Sequence, residues 1–107
     1  MLMVRAIVRP EKAGQVMAEL AEAGFAAVTK MDVFGRGKQK GNMVDEYCYD
    51  EIPKEMLLIV CTEEDKDTIV KIILRTARTG NGNYGDGRIF VSAVEEAYTV
   101  STGKPGL

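Results

Sequence analysis

A strand–helix–strand pattern occurs twice in this chain, and the two halves are separated by nineteen residues, Gly35 to Pro53, with no hydrophobic periodicity. That order restricts the fold more than any other feature. Leu2, Val4, Ala6 and Val8 alternate with Met3, Arg5, Ile7 and Arg9, which is the period of a strand. Pro10 suits the first turn of a helix. Ala13, Val16, Met17 and Leu20 then recur at helical spacing, and Gly24 is placed to end the helix. Ala27 to Phe34 is β-rich. In the second half, Met56 to Cys61 is a continuous apolar run of strand length. Thr62 is placed to cap a helix with Asp65 in its first turn, and Ile69, Ile72, Ile73 and Ala77 form its apolar stripe. Ile89 to Val94 completes the second half. Ala97 to Val100 either continues that strand or forms a short extra one.

Two such halves predict an α+β, ferredoxin-like βαββαβ sandwich, with an antiparallel sheet and two helices on one face. The length of 107 residues fits a single domain spanning residues 1–107. Met56, Leu57, Leu58, Ile59 and Val60 are apolar on both faces of their strand, while the helices cover only one. The second face therefore calls for another subunit, so a homo-oligomer is expected. The alternative is that the chain's own C-terminal segment covers it.

Composition removes several functions. The formal net charge is −2, against the basic excess that bulk nucleic-acid binding needs. No apolar run approaches the roughly 18 residues of a membrane span. The chain begins with a strand-like segment and shows no signal peptide, which predicts a cytoplasmic protein. The absence of histidine removes His-based acid–base chemistry and His-ligated zinc. Cys48 and Cys61 do not suggest a disulfide framework, and Cys61 reads as a small buried hydrophobe.

The cations are clustered instead. Gly35-Arg36-Gly37-Lys38-Gln39-Lys40-Gly41 holds three glycines, three cations and a glutamine. A second glycine-rich stretch, Gly80 to Arg88, follows the second helix pattern. Glycine lets backbone N–H groups approach an anion closely, and the cations neutralise it. Together the two stretches predict one shared site for a phosphate-bearing small molecule. The long loop between them also carries Tyr47 and Tyr49 among acidic residues, which reads as a partner-contacting arm.

These residues resemble a known family. Arg5-Ala6-Ile7-Val8-Arg9-Pro10, the Gly35–Gly41 stretch, Pro53-Lys54, Arg75-Thr76-Ala77-Arg78-Thr79-Gly80 and Gly85-Asp86-Gly87-Arg88-Ile89-Phe90-Val91 look like the P-II signal-transduction proteins. Thr29-Lys30-Met31-Asp32-Val33, the short loop, Glu95-Glu96-Ala97-Tyr98-Thr99 and the ending Gly106-Leu107 resemble the nitrogenase-operon (NifI-type) branch.

The resemblance implies a cytoplasmic homotrimer, with a T-loop at 35–53, a nucleotide-closing loop at 79–88 and a C-terminal segment at 95–107. It implies a regulator rather than an enzyme, although slow ATP hydrolysis stays open. Clefts between subunits would bind ATP or ADP and, with Mg²⁺ and ATP, 2-oxoglutarate. The implied target is dinitrogenase, approached together with a sister P-II subunit. An ammonium transporter or glutamine synthetase is the alternative target.

Residue by residue, Gln39 matches the family's magnesium ligand, which also meets nucleotide and 2-oxoglutarate. Lys54 matches the lysine that pairs with a 2-oxoglutarate carboxylate. Backbone from Gly37 through Lys40 to Gly41 matches the cradle for that ligand. Lys38 and Arg88 match cations facing the phosphates. Gly85, Asp86 and Gly87 match the closing loop, while Ile7, Thr29 and Gly35 match the adenine side.

The chain also departs from the family. Asn81-Gly82-Asn83-Tyr84 looks like an insertion, two residues longer than usual. Thr99 and Ser101 stand where phosphate-gripping arginines are common, a loss of about 1.5–3 kcal/mol for each charge-assisted contact. Lys104, or a heteromeric partner, is a candidate replacement.

Two other classes share the architecture. An acylphosphatase-like enzyme needs a phosphate cradle at Arg9–Gly14, which is poor in glycine. A metal-tolerance protein of the CutA kind needs ligands that this chain lacks.

Overall fold

The structure, a computed structural model, describes residues 1–36 and 51–107 together with the backbone of residues 43–44 and 47–48. Its elements follow the expected order: β1 (Leu2–Val8), α1 (Pro10–Glu22), β2 (Thr29–Gly35), the two-residue strands β3 (Met43–Val44) and β4 (Tyr47–Cys48), β5 (Ile52–Cys61), α2 (Glu63–Ala77), β6 (Gly87–Ala93), β7 (Tyr98–Thr99) and β8 (Lys104–Pro105).

The main sheet has the order β2-β5-β1-β6, and every neighbouring pair is antiparallel. This is the ferredoxin-like βαββαβ sandwich. Val4, Ala6 and Val8 of β1, with Leu57 and Ile59 of β5, are buried beneath both helices. Ala13, Val16 and Leu20 of α1 meet Ile69, Ile72 and Ile73 of α2 over them. The residues of β1, α1 and α2 lie on the stripes that their periodicity predicts. Burying one such aliphatic side chain contributes about 1.5–3 kcal/mol.

The helix ends follow local chemistry. Pro10 opens α1, where a missing N–H costs nothing. Thr62 caps α2, its Oγ1 accepting from the Asp65 N–H at 3.3 Å. The chain leaves α1 through Gly24 at φ +95°, a conformation that L side chains rarely adopt.

One expectation shifts. The stretch 35–53 is shorter than expected as irregular chain, because β2 runs through Gly35 and β5 already begins at Ile52. Pro53 obscures that start in the sequence. It lies beyond the end of the β1 pairing, at Glu55, where β5 pairs only with β2. A proline can occupy such a position without removing a ladder bond on both sides. Between them, β3 and β4 pair Met43 with Cys48 and Val44 with Tyr47. At the C-terminal end the second alternative holds: Tyr98–Thr99 does not extend β6 but forms a short strand of its own, paired with Lys104–Pro105.

The sheet face opposite the helices carries Met3, Arg5 and Ile7, then Met31 and Val33, then Met56, Leu58 and Val60, and Phe90, as the register dictates. The C-terminal segment does not close it, since Met31 and Phe90 remain 40% and 49% exposed. Among the described residues, no helix is long and apolar enough to cross a membrane.

Candidate functional site

The first residue of β6 shows how tightly the site is built. Gly87 pairs with Val8 and has φ +122°. A Cβ there would lie 1.8 Å from the Ile7 carbonyl oxygen, so only glycine lets β6 start this close to β1. The glycine-rich loop 79–88 leads into this point from α2.

Asp86 organises that loop. Its Oδ1 accepts from Thr79 Oγ1 at 2.6 Å and from Arg9 Nε at 3.1 Å. Its Oδ2 accepts from the Asn83 N–H at 2.9 Å and the Thr79 N–H at 3.1 Å. Burial by itself would raise the carboxyl pKa. The hydrogen bonds from Thr79, Asn83 and Arg9 more than reverse this, and hold it well below the usual carboxylate range. The Asn83 side-chain amide adds bonds to Thr79 O and Thr79 Oγ1, each 2.9 Å. Arg9 reaches further along the loop, with Nη2 donating to Tyr84 O at 2.9 Å.

Lys54 enters from the other side. It sits near the start of β5, and its Nζ donates to Gly85 O at 2.5 Å. Burial lowers its pKa, as does the nearby Arg9 charge, and Glu11 and Asp86 offset part of the effect. The residue at the foot of the 37–50 segment therefore touches the loop that leads into Arg88. Arg88 itself is exposed, and among the described residues its side chain has no hydrogen-bond or ion-pair partner. Beneath the loop, an open cleft of about 510 Å³ is floored by Val8, Ile73, Ala77 and Ile89.

Of the residues singled out from the sequence, Ile7, Lys54, Gly85, Asp86, Gly87 and Arg88 gather around this point. Ile7 pairs with Arg88 on one side and Met56 on the other. Thr29 does not join them. It lies on β2 at the opposite sheet edge, three strand spacings or about 14 Å from β6. Gly35 ends the same strand across from Ile52, two residues beyond Val33, the pairing partner of Lys54. Gly37, Lys38, Gln39, Lys40, Gly41 and Tyr49, and the Tyr47 side chain, lie outside the described residues. Thr99 and Ser101 are on the exposed C-terminal hairpin, and Lys104 stands directly across from Thr99.

Arg9, Thr79 and Asn83 build the loop network without being among the site residues expected from the sequence. Thr79 and Asp86, bracketing the glycines, were the available signal for the loop network. Nothing local linked Arg9 to it, because only the β1–β6 pairing brings residue 9 beside residue 86. The β1–α1 junction is the single residue Arg9, too short for the phosphate cradle of an acylphosphatase-like enzyme. Among the described residues, no three Cys, Asp or Glu side chains cluster as a metal site would require.

Comparison with known proteins agrees with this arrangement. The sequence profile of the family described as "Nitrogen regulatory protein P-II" matches residues 1–104. The chain is 57% identical to "Nitrogen fixation nifHD region GlnB-like protein 1" of Methanobacterium ivanovii, over the full length of both proteins. It is 55% identical, again over both full lengths, to "Nitrogen fixation nifHD1 region GlnB-like protein 1" of Methanosarcina barkeri. It is 41% identical to "Nitrogen regulatory protein P-II 2" of Methanothermobacter thermautotrophicus, over 94% of this chain and 90% of that protein. The chain belongs to the nitrogen regulatory P-II family, in its nitrogenase-operon branch.

Proposed function

We propose that this chain senses ATP, ADP and 2-oxoglutarate and controls nitrogenase by binding dinitrogenase through its 35–53 loop. The observation that carries the reading is the Lys54–Gly85 hydrogen bond. It ties the foot of the proposed docking loop to the glycine-rich loop proposed for nucleotide, so a ligand that recruits either partner acts on both. The relatives named for the nifHD region support the nitrogenase target.

The residues present suit an anionic ligand. Among the described residues the Arg88 guanidinium has no partner, and it stands beside Ile7 where Gly87 brings β6 close against β1. When bound, magnesium would neutralise phosphate charge, with Gln39 as its protein ligand. Lys54 would exchange the Gly85 carbonyl for a 2-oxoglutarate carboxylate, an ionic partner that makes a stronger hydrogen bond. Lys38 and Arg88 would face the phosphates, with Gly85, Asp86 and Gly87 closing over them. Gly37, Lys40 and Gly41 would cradle 2-oxoglutarate, while Tyr47 and Tyr49 would contact the partner.

Ile7 and Gly35 would border adenine together with Thr29. Thr29 lies too far from Arg88 in one chain, so it would come from a neighbouring subunit. The open apolar sheet face gives the same requirement, and both support a homotrimer with clefts between subunits. Lys104, across from Thr99, would supply part of the missing phosphate charge.

Isothermal titration calorimetry tests the reading. The expected result is binding of MgATP, and binding of 2-oxoglutarate only when MgATP is present. Absence of both from the intact protein would refute the sensor. Immobilised protein should then retain dinitrogenase, and lose it on adding MgATP with 2-oxoglutarate. Retention of an ammonium transporter or glutamine synthetase instead would move the target.

A further inference from the structure

We infer that Arg9 is the positioning residue of the 79–88 loop, the side chain that holds it in its ligand-binding shape. The ligand part of this inference rests on the sensing reading above. The positioning part rests on contacts alone.

Arg9 is anchored on both sides. Val8 before it ends β1 and pairs with both Glu55 and Gly87, while Pro10 after it starts α1. Its carbonyl accepts from the Lys12 and Ala13 N–H groups at 3.0 and 3.2 Å. Its side chain makes no capping bond to the helix. It crosses instead to a loop more than seventy positions away.

The guanidinium uses its fork. Nε takes the Asp86 carboxylate and Nη2 takes Tyr84 O, so the two contacts straddle Gly85. Lys54 holds the carbonyl of Gly85 itself. Three consecutive residues, 84 to 86, are thus each gripped from the body of the domain. A trans peptide is planar, with its C=O and N–H on opposite sides. Fixing Tyr84 O on Arg9 therefore turns the Gly85 N–H away from the guanidinium. The same bonds set the direction in which the chain enters Gly87 and Arg88. The Arg9 side chain is 23% exposed, so its bonds to Asp86 and Tyr84 compete less with water than those of a surface pair. Lysine would keep the charge but could not make both bonds in this geometry.

The test compares wild type, Arg9→Ala and Arg9→Lys as intact protein, by amide hydrogen exchange and by MgATP titration. Circular dichroism confirms that each variant is folded, and Arg9→Lys provides the milder change if Arg9→Ala is not. Exchange at residues 83–88 should rise at least tenfold in Arg9→Ala, with β5 amides unchanged. The MgATP Kd should weaken at least tenfold. Arg9→Lys should fall between wild type and alanine on both readouts. Exchange at 83–88 within about twofold of wild type would overturn the inference, and so would an unchanged Kd in a loosened loop. If wild type itself binds no MgATP, the sensing reading fails and takes the ligand part with it, while exchange still decides whether Arg9 holds the loop.

Discussion

Replacing Gly87 by alanine should do more damage than the addition of one methyl group suggests. The new Cβ would lie 1.8 Å from Ile7 O, 2.9 Å from Ile7 C and 3.1 Å from Val8 Cα. All three are backbone atoms of β1, so no rotamer change relieves the clash. Separations near 3.5 Å are comfortable for such atoms, so β6 must retreat by more than an ångström. Retreat breaks the start of the ladder, where Val8 faces Gly87 and Ile7 faces Arg88. Each lost backbone bond costs about 1 kcal/mol. Holding alanine at φ +122° adds about 1–3 kcal/mol. The sum is about 3–5 kcal/mol, against a total of about 5–15 for a domain. At about 4–8 °C per kcal/mol for this size, Tm should fall by at least about 12 °C. Thermal melts at one fixed protein concentration measure this, since assembly shifts apparent stability. A melt within about 3 °C of wild type would show that β6 can slide freely, and would refute the close-approach argument.

Gly14→Ala should act in the opposite direction, because its Cβ meets nothing within 4 Å inside α1. A gain of about 0.5–1 kcal/mol in denaturant unfolding is expected. Thr62→Ala removes the side-chain acceptor for Asp65 N–H, leaving the Thr62 carbonyl, and should cost about 1 kcal/mol in the same assay. Asp86→Asn weakens a carboxylate bonded to charged and backbone donors, and should cost about 1.5–3 kcal/mol near pH 7. The Asp86 pKa is depressed in the folded state, so its contribution is present above the ordinary value of about 3.9 and fades as pH falls below it. The gap between wild type and Asp86→Asn should be flat from pH 5 to 8 and shrink under more acid conditions. Lys104→Ala should weaken MgATP severalfold by calorimetry without changing the melt, as expected for an exposed cation on the terminal hairpin.

Periodic segments were legible because their signal is local. Alternation in β1 and the i, i+3, i+4 stripes of α1 and α2 place the same side chains in the core that the structure buries. The caps at Pro10 and Thr62 were legible for the same reason. The start of β5 was not, because Ile52-Pro53-Lys54-Glu55 lacks alternation and is held as a strand by its neighbour Val33-Phe34-Gly35. Of the β7–β8 hairpin only the short strand near Tyr98 was legible, because Lys104–Pro105 carries too few positions for any period to show.

For the site, the sequence by itself determined which side chains are available: two glycine-rich stretches, a cation in or after each, and no histidine. Side-chain type and backbone permissiveness are properties of single residues. Which of them meet was decided only by the tertiary structure. The strand order β2-β5-β1-β6 sets Arg9 and Lys54 on either side of residues 84–86, and leaves Thr29 on the opposite edge. Pairing between strands far apart in sequence sets these neighbours through backbone bonds common to every residue, so no local pattern in the side chains records them.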